Sequence, residues 1–144
     1  MMRLVVDASV AVKWLIEEEG SESARWLLEG EHELYAPRLM ASEIANALRR
    51  RTRMGDVQRG EAGELASIVP EMPLHWADDE HVCADAVRLA LALDGSVYDC
   101  AYLALAHRLG AKLVTADERF VNVVAATEHG GSVMTLLDLA LEFE

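Results

Sequence analysis

The sequence predicts an α/β protein, a three-layer α/β/α sandwich with a mostly parallel central sheet. Short apolar runs of strand character alternate along the chain with longer segments whose apolar residues recur at helical spacing. Strands separated by helices form right-handed crossovers, which build parallel sheets covered on both faces. The 144 residues fit one domain over 1–144, and 52% hydrophobic with only 6% aromatic residues indicates a core of mainly Ala, Val and Leu.

Five short runs are interpreted as strands because each is apolar and bounded by turn residues. In chain order they are RLVV (3–6), HELYAP (32–37), PLHWA (73–77), KLVTAD (112–117) and SVMTL (132–136). Helical periodicity predicts the rest, over about 9–19, 21–30, 38–55, 56–69, 79–93, 97–109 and a short segment after the last strand. Ser21, Asp56 and Ser96 are the predicted N-caps of three of these helices.

The net charge of −12 opposes simple electrostatic binding to nucleic acid, which usually uses a basic surface, but does not exclude it. Divalent cations could still bridge acidic residues to phosphates. No apolar run approaches the roughly 20 residues of a membrane span, and no signal-peptide pattern is visible. Cys83 and Cys100 lack metal-ligand spacing and are interpreted as reduced core thiols of a cytoplasmic protein.

Four acidic residues are candidates for a common site. Asp7 follows the first strand and Asp117 follows the fourth, and ligands of parallel sheets bind outside the carboxyl ends of the strands. Glu43 lies in ASEIANAL beside the inward stripe of its helix, and Asp99 lies in the first turn of an otherwise apolar helix. We therefore expect all four side chains at the same edge of the sheet.

Each acid also has a purely structural interpretation. Asp7 could cap a helix, Asp99 could belong to a capping box with Ser96, Asp117 could begin a turn, and Glu43 could be solvated. Four carboxylates in one cleft would repel one another and raise their pKa values, which makes sense if Mg²⁺ or Mn²⁺ binds there. Such ions support phosphodiester hydrolysis, so metal-dependent cleavage of a phosphate ester is the functional hypothesis.

The segments VVDASV, ASEIANAL, YDCAYLALA and LVTADERF, in this order, resemble the PIN-domain family, in particular the VapC-type toxins of toxin–antitoxin pairs. The resemblance spans nearly the whole chain. It implies a PIN fold and an Mg²⁺- or Mn²⁺-dependent endoribonuclease that inhibits translation by cleaving structured RNA such as tRNA or rRNA. It carries over Asp7, Glu43, Asp99 and Asp117 as catalytic residues and metal ligands.

The same resemblance implies supporting residues and partners. Ser9 and Thr115 would orient carboxylates or waters, and Asn46 is a further candidate of this kind. A VapB-like antitoxin would wrap the toxin and hold it inactive, within a complex that contains a toxin homodimer. An antitoxin Arg or Lys would approach the acidic pocket.

The remaining motifs have simpler interpretations. The basic run LRRRTR (48–53) could contact RNA phosphates, but solvated cations at a helix C-terminus are favoured. Trp14, Trp26 and Trp76 are interpreted as core or interface residues.

Three other function classes stay open or are disfavoured. A receiver-type signalling domain would need a pair of acids after the first strand and a lysine after the last, and neither is present. A PIN-like scaffold without catalysis is disfavoured by the complete set of four acids. An RNA-processing nuclease without an antitoxin remains an alternative.

Overall fold

A parallel five-stranded sheet forms the centre of the computed structural model, which describes residues 2–142. The expected domain over 1–144 extends beyond this range at both ends. The strands are β1 (Arg3–Val6), β2 (Glu33–Pro37), β3 (His75–Ala77), β4 (Lys112–Thr115) and β5 (Val133–Thr135), in the spatial order β3-β2-β1-β4-β5. All four strand pairings are parallel, and helices flank the sheet, so the predicted α/β/α class is confirmed.

Within residues 2–142, eight α-helices connect and follow the strands. They are α1 (Ala8–Ala11), α2 (Ser21–Glu29), α3 (Leu39–Met54), α4 (Arg59–Ala66), α5 (Cys83–Leu93), α6 (Val97–Leu109), α7 (Glu118–Ala125) and α8 (Leu136–Glu142). Short 3-10 turns cover Val12–Trp14, Val69–Glu71, Asp79–His81 and Gly130–Ser132.

The core lies on both faces of the central strands. Leu4, Val5 and Val6 are all fully buried, although successive strand residues point to opposite faces. Helix α6 packs across β2, β1 and β4, and its residues 100–106 are buried without interruption. A helix in that position must be apolar all round, which explains its composition.

The register of β1 and β4 brings the ends of the two strands together. Val6 pairs with Val114, and the Asp7 amide donates to the Val114 carbonyl at 3.0 Å. Asp7 therefore leaves the sheet beside Thr115, the last residue of β4.

Two predictions about the first two helices are wrong, one about where a helix ends and one about an N-cap. The first helix, expected to run from Ser9 to just before Gly20, ends in a 3-10 turn at Trp14. Ser21 is not an N-cap, because Gly20 occupies that place with a left-handed backbone (φ +88°). The buried Ser21 hydroxyl instead donates to the Ile16 carbonyl at 3.0 Å.

A second predicted cap, Asp56, and one whole helix also differ. Helix α4 is capped by Gln58 rather than by Asp56, whose carboxylate lies 3.4 Å from Arg51. Helix α7 was not predicted. Its N-cap is Asp117, and Phe120 and Val124, one turn apart, are its buried residues.

Other expectations concern single residues and membrane spans. Trp14, Trp26 and Trp76 pack partly buried against the core. Cys100 is buried, but Cys83, which was expected in the core, is exposed.

Within the described residues, no single helix is long and apolar enough to cross a membrane. Helices α5 and α6 pass that test only as a pair, which is bent by 116°.

Candidate active site

A cleft of about 730 Å³ opens where β1 and β4 end, and all four predicted acids line it. Asp7 comes from the end of β1, Glu43 from α3, Asp99 from the first turn of α6, and Asp117 from the turn after β4. Ser9 and Asn46, also predicted from the sequence, line the same cleft. Thr115 lies beneath it, with 1% of its surface exposed.

Three hydrogen bonds fix one oxygen of Asp7. Its Oδ2 accepts from the Ser9 hydroxyl at 2.5 Å, the Ser9 amide at 3.4 Å and the Thr115 hydroxyl at 3.0 Å. Among the described residues, none donates to the other oxygen, Oδ1. The carboxylate is thus held by one oxygen and presents the other as a free acceptor.

The two hydroxyls also connect Asp7 to the end of β4. Each hydroxyl has one proton, and both protons are directed at Asp7, so the 3.3 Å approach of Ser9 to Thr115 is a contact rather than a third bond. Their lone pairs accept from backbone amides, that of Ala116 for Ser9 and that of Asp117 for Thr115, both at 3.0 Å. The result is a small network that joins the turns after β1 and β4.

The side chain of Asp117 is held by its own helix. Its Oδ1 accepts from the Phe120 amide at 3.1 Å and so caps α7. The structural and functional interpretations of this residue are therefore compatible, because a cap uses only one carboxylate oxygen.

Glu43 is positioned by a residue that was not predicted. The Tyr102 hydroxyl donates to Glu43 Oε1 at 2.5 Å, and the tyrosine itself is 1% exposed. A buried tyrosine needs a partner for its hydroxyl. Tyr102 lies three residues after Asp99 on α6 and therefore on the same helix face. This spacing could have indicated from the sequence that Tyr102 lies near the acidic residues.

Asp99 begins helix α6. Ser96 is the N-cap, as predicted, and its hydroxyl accepts from the Asp99 amide at 3.0 Å. The carboxylate is half-buried and faces the cleft.

The pKa values of three of these acids are raised, and burial is the largest cause in each case. For Asp7, two hydroxyl donors lower the pKa in part, and the charge of Asp99 raises it further. For Glu43, the Tyr102 hydroxyl opposes the shift, while the charges of Asp7 and Asp99 add to it. For Asp99, the charge of Asp117 adds to the effect of burial. Such mutual repulsion is what clustered carboxylates produce.

Two charged residues of the cleft were missed by sequence reasoning. Asp79 lines the cleft, and its Oδ1 accepts from the Leu39 amide at 3.1 Å, so it satisfies a free donor at the start of α3. Arg50 lines the cleft two turns beyond Glu43 on α3. Asp79 gave no signal, because the contact joins residues that are 40 positions apart.

The donor chemistry of the cleft fits a hard divalent cation. All four predicted ligands offer oxygen, which Mg²⁺ and Mn²⁺ prefer, and Mg²⁺ keeps several waters when it binds. A second group, Asp78, Glu80 and His81, brings ligand atoms within 4.8 Å of one another, but all three residues are exposed. No three of the predicted ligands approach as closely within the described part of the chain, which leaves room for water between carboxylate and cation.

Comparison with known proteins places the chain in a family. A model of the PIN domain matches residues 4–126. The chain belongs to the PIN domain family. It is 38% identical over 122 residues to Ribonuclease VapC3 of Pyrobaculum aerophilum, a match that covers 82% of this chain and 92% of the relative. The resemblance to VapC-type members is confirmed.

Solved structures share the fold at lower identity. The crystal structure of PAE2754 from Pyrobaculum aerophilum has a TM-score of 0.71 at 23% identity and covers 98% of this chain and 88% of that one. VapBC2 from Rickettsia felis, bound to a DNA fragment from its promoter, has a TM-score of 0.65 at 13% identity, covering 93% and 98%. VapC20 of Mycobacterium tuberculosis, a sarcin-ricin loop cleaving toxin, has a TM-score of 0.58 at 16% identity, covering 78% and 86%.

Proposed function

We propose that this protein is a divalent-metal-dependent endoribonuclease and the toxin of a VapBC-type pair. The observation that carries the proposal is the convergence of Asp7, Glu43, Asp99 and Asp117, from four separate segments, on one cleft. The ribonuclease relative at 38% identity supports the choice of RNA as substrate.

The four acids would have different roles in binding Mg²⁺ or Mn²⁺. Asp7 would be the central ligand, because Ser9 and Thr115 hold Oδ2 and leave Oδ1 without a donor among the described residues. Asp99 and Glu43 would complete the site for the main ion, partly through water, and Asp117 would help to hold that ion or a second one. When bound, the cation supplies positive charge that offsets the charge on the phosphate and makes water a better nucleophile.

The protein residues orient this site. The hydroxyls of Ser9 and Thr115 fix the plane of the Asp7 carboxylate, and Tyr102 fixes Glu43. Asn46 offers an amide from the same face of α3 to a water or to the substrate. The reaction is an in-line hydrolysis of a phosphodiester that leaves a 3′-hydroxyl and a 5′-phosphate.

The relatives support a proposed biological setting. A VapB-like antitoxin is the expected partner, since a neighbour of this fold was solved as a VapBC complex. The substrate class is structured RNA, tRNA or rRNA, and one neighbour is described as cleaving the sarcin-ricin loop. We place the protein in the cytoplasm, as a homodimer within the toxin–antitoxin complex, with one domain over 1–144.

The test is cleavage of a structured RNA pool by purified, antitoxin-free protein with Mg²⁺ or Mn²⁺, against EDTA. Asp99→Asn is the active-site variant. Asp85→Asn is the matched control, because Asp85 also lies in the first turn of a helix but is exposed and pairs with Arg88 at 3.0 Å.

We expect wild type and Asp85→Asn to cleave RNA in a metal-dependent way and Asp99→Asn not to cleave it. Cutting that survives EDTA, or that Asp99→Asn retains in full, contradicts the assigned site. Absence of cutting by metal-loaded wild type favours a non-catalytic scaffold instead.

A further inference from the structure

One basic side chain lies among the acidic residues of the cleft. Of the described residues that line it, Arg50 is the only basic one, and it shares the cleft with five carboxylates: those of Asp7, Glu43, Asp79, Asp99 and Asp117. We propose that Arg50 binds a backbone phosphate of the RNA next to the scissile one. This inference rests on the proposed function, because it names how that site holds its substrate.

The structure separates Arg50 from its neighbours in the basic run 48–53. Arg51 is engaged with the carboxylates of Glu18 and Asp56, and its side chain is 28% exposed. That network ties the segment before α2 to α3. Arg50 is exposed, and within residues 2–142 it makes neither an ion pair nor a hydrogen bond. Its guanidinium is therefore available to a ligand.

The position of Arg50 on α3 fits a phosphate that flanks the reacting one. Glu43, Asn46, Ala47 and Arg50 all line the cleft, at spacings that place them on one face of the helix. Seven residues of α-helix separate Glu43 from Arg50, which is about 10 Å along the axis. At that distance Arg50 would contact the chain of the substrate rather than the phosphorus under attack.

Electrostatics explain why such a residue is needed. A protein with net charge −12 and a cleft lined by acids repels RNA until positive charge is supplied. Divalent cations held by the four acids would offset their charge, whereas Arg50 lies about 10 Å along α3 from Glu43. A planar guanidinium binds phosphate with two parallel hydrogen bonds, so Arg50 would fix both the position and the direction of the strand.

The test compares Arg50→Gln with Arg49→Gln. Arg49 is the matched control because it is an exposed neighbour on the same helix and does not line the cleft. Both changes are made in Asp99→Asn, so that RNA stays intact, and binding of a fluorescein-labelled single-stranded RNA is followed by anisotropy at several salt concentrations with Mg²⁺.

We expect Arg50→Gln to weaken binding by about tenfold and Arg49→Gln by less than about twofold. The slope of log affinity against log salt should fall by about 0.7 for Arg50→Gln, which corresponds to one lost phosphate contact on a single strand. Equal effects of the two substitutions would overturn the proposal, since Arg50 would then act only as general surface charge.

Kinetics in the otherwise wild-type protein give a second readout. If Arg50 holds a flanking phosphate equally in the ground and transition states, Arg50→Gln should raise KM and leave kcat within about twofold of wild type. A loss confined to kcat would overturn the flanking position. If Arg50 governs binding but wild type does not cut RNA, the nuclease proposal fails while the phosphate site stands; if the Asp99→Asn parent does not bind RNA, the phosphate site is overturned.

Discussion

The two sides of the cleft are built differently. On the strand side, Asp7 is held by three donors from Ser9 and Thr115, and those hydroxyls in turn accept amides from the turn after β4. On the helix side, Glu43 is held by the single hydroxyl of Tyr102. The strand side is thus a rigid network, whereas the helix side depends on one long-range contact.

The two sides differ in rigidity because their hydrogen bonds join residues in different ways. The strand-side bonds join residues two positions apart, or residues that the β1–β4 register places side by side. The helix-side bond joins residues 59 positions apart and depends on how α3 packs relative to α6. Substitutions on the strand side should therefore cost more than equivalent ones on the helix side.

The largest effect is expected for Asp7→Asn. The amide oxygen can still accept from Ser9 and Thr115, but the variant loses the charge that faces the cleft. Cleavage should fall by on the order of 10³-fold or more, as measured by initial rates on the RNA pool. Retention of more than about a tenth of the activity would contradict the central role of Asp7.

A comparison of Thr115→Val with Tyr102→Phe measures the two sides directly. Thr115→Val removes a donor to Asp7 and the acceptor of the Asp117 amide, so activity should fall about 10- to 100-fold and the free energy of unfolding by about 1–3 kcal/mol. Tyr102→Phe removes the hydroxyl, which bonds a carboxylate that water can still reach and also the Ala8 backbone. Its activity should fall by no more than about tenfold, and its free energy of unfolding by less than about 1 kcal/mol.

Rates and denaturant unfolding of both variants check this ranking. The account of a rigid strand side and a tolerant helix side is wrong if Tyr102→Phe proves the more damaging of the two.

The pH dependence of stability sharpens the same contrast at Asp7. Its pKa is raised in the folded protein, so the folded state binds this proton more tightly than the unfolded state. The resulting stabilisation is complete below the ordinary aspartate pKa of about 3.9, and it is lost as the pH rises through the raised value. In metal-free protein, the Tm of Asp7→Asn minus that of wild type should therefore increase from pH 4 to pH 8. A difference that stays constant with pH would mean that burial and the charge of Asp99 leave this carboxyl unperturbed.

The smallest effect on activity is expected at Asp79, which lines the cleft but accepts a hydrogen bond from the Leu39 amide at the start of α3. Asp79→Asn keeps an oxygen for the Leu39 amide, so cleavage should stay within about twofold of wild type. Asp79→Ala loses this oxygen and should lower the free energy of unfolding by about 1 kcal/mol, as seen in denaturant titrations. A loss of activity in Asp79→Asn comparable to that of Asp99→Asn would make Asp79 a fifth member of the site.

The sequence predicted the parts of this architecture that are locally encoded. The class of fold followed from alternating strand and helix patterns, and the pairs Asp7–Ser9 and Thr115–Asp117 are close in sequence as well as in space. Helix α7 was missed because the structural interpretation of Asp117 was the start of a turn, although its capping position and the spacing of Phe120 and Val124 were visible.

The parts that were missed depend on tertiary packing. Tyr102 reaches Glu43, and Asp79 reaches α3, only because separate helices meet at the cleft. Likewise, the basic run itself does not distinguish Arg50, which lines the cleft, from Arg51, which is engaged by Glu18; only the seven-residue spacing from Glu43 does. The helix face on which each arginine lies decides which group it contacts. A run of consecutive arginines does not by itself indicate that face.

Direct binding of Mn²⁺, measured by calorimetry, tests the central claim most directly, because two acidic groups compete as the metal site. Wild type and Glu80→Gln, which disrupts the exposed trio of Asp78, Glu80 and His81, should both bind the ion, and Asp7→Asn should not. If Asp7→Asn bound Mn²⁺ like wild type while Glu80→Gln did not, the metal would belong to the exposed trio, and the cleft would not be the metal-dependent site proposed for it.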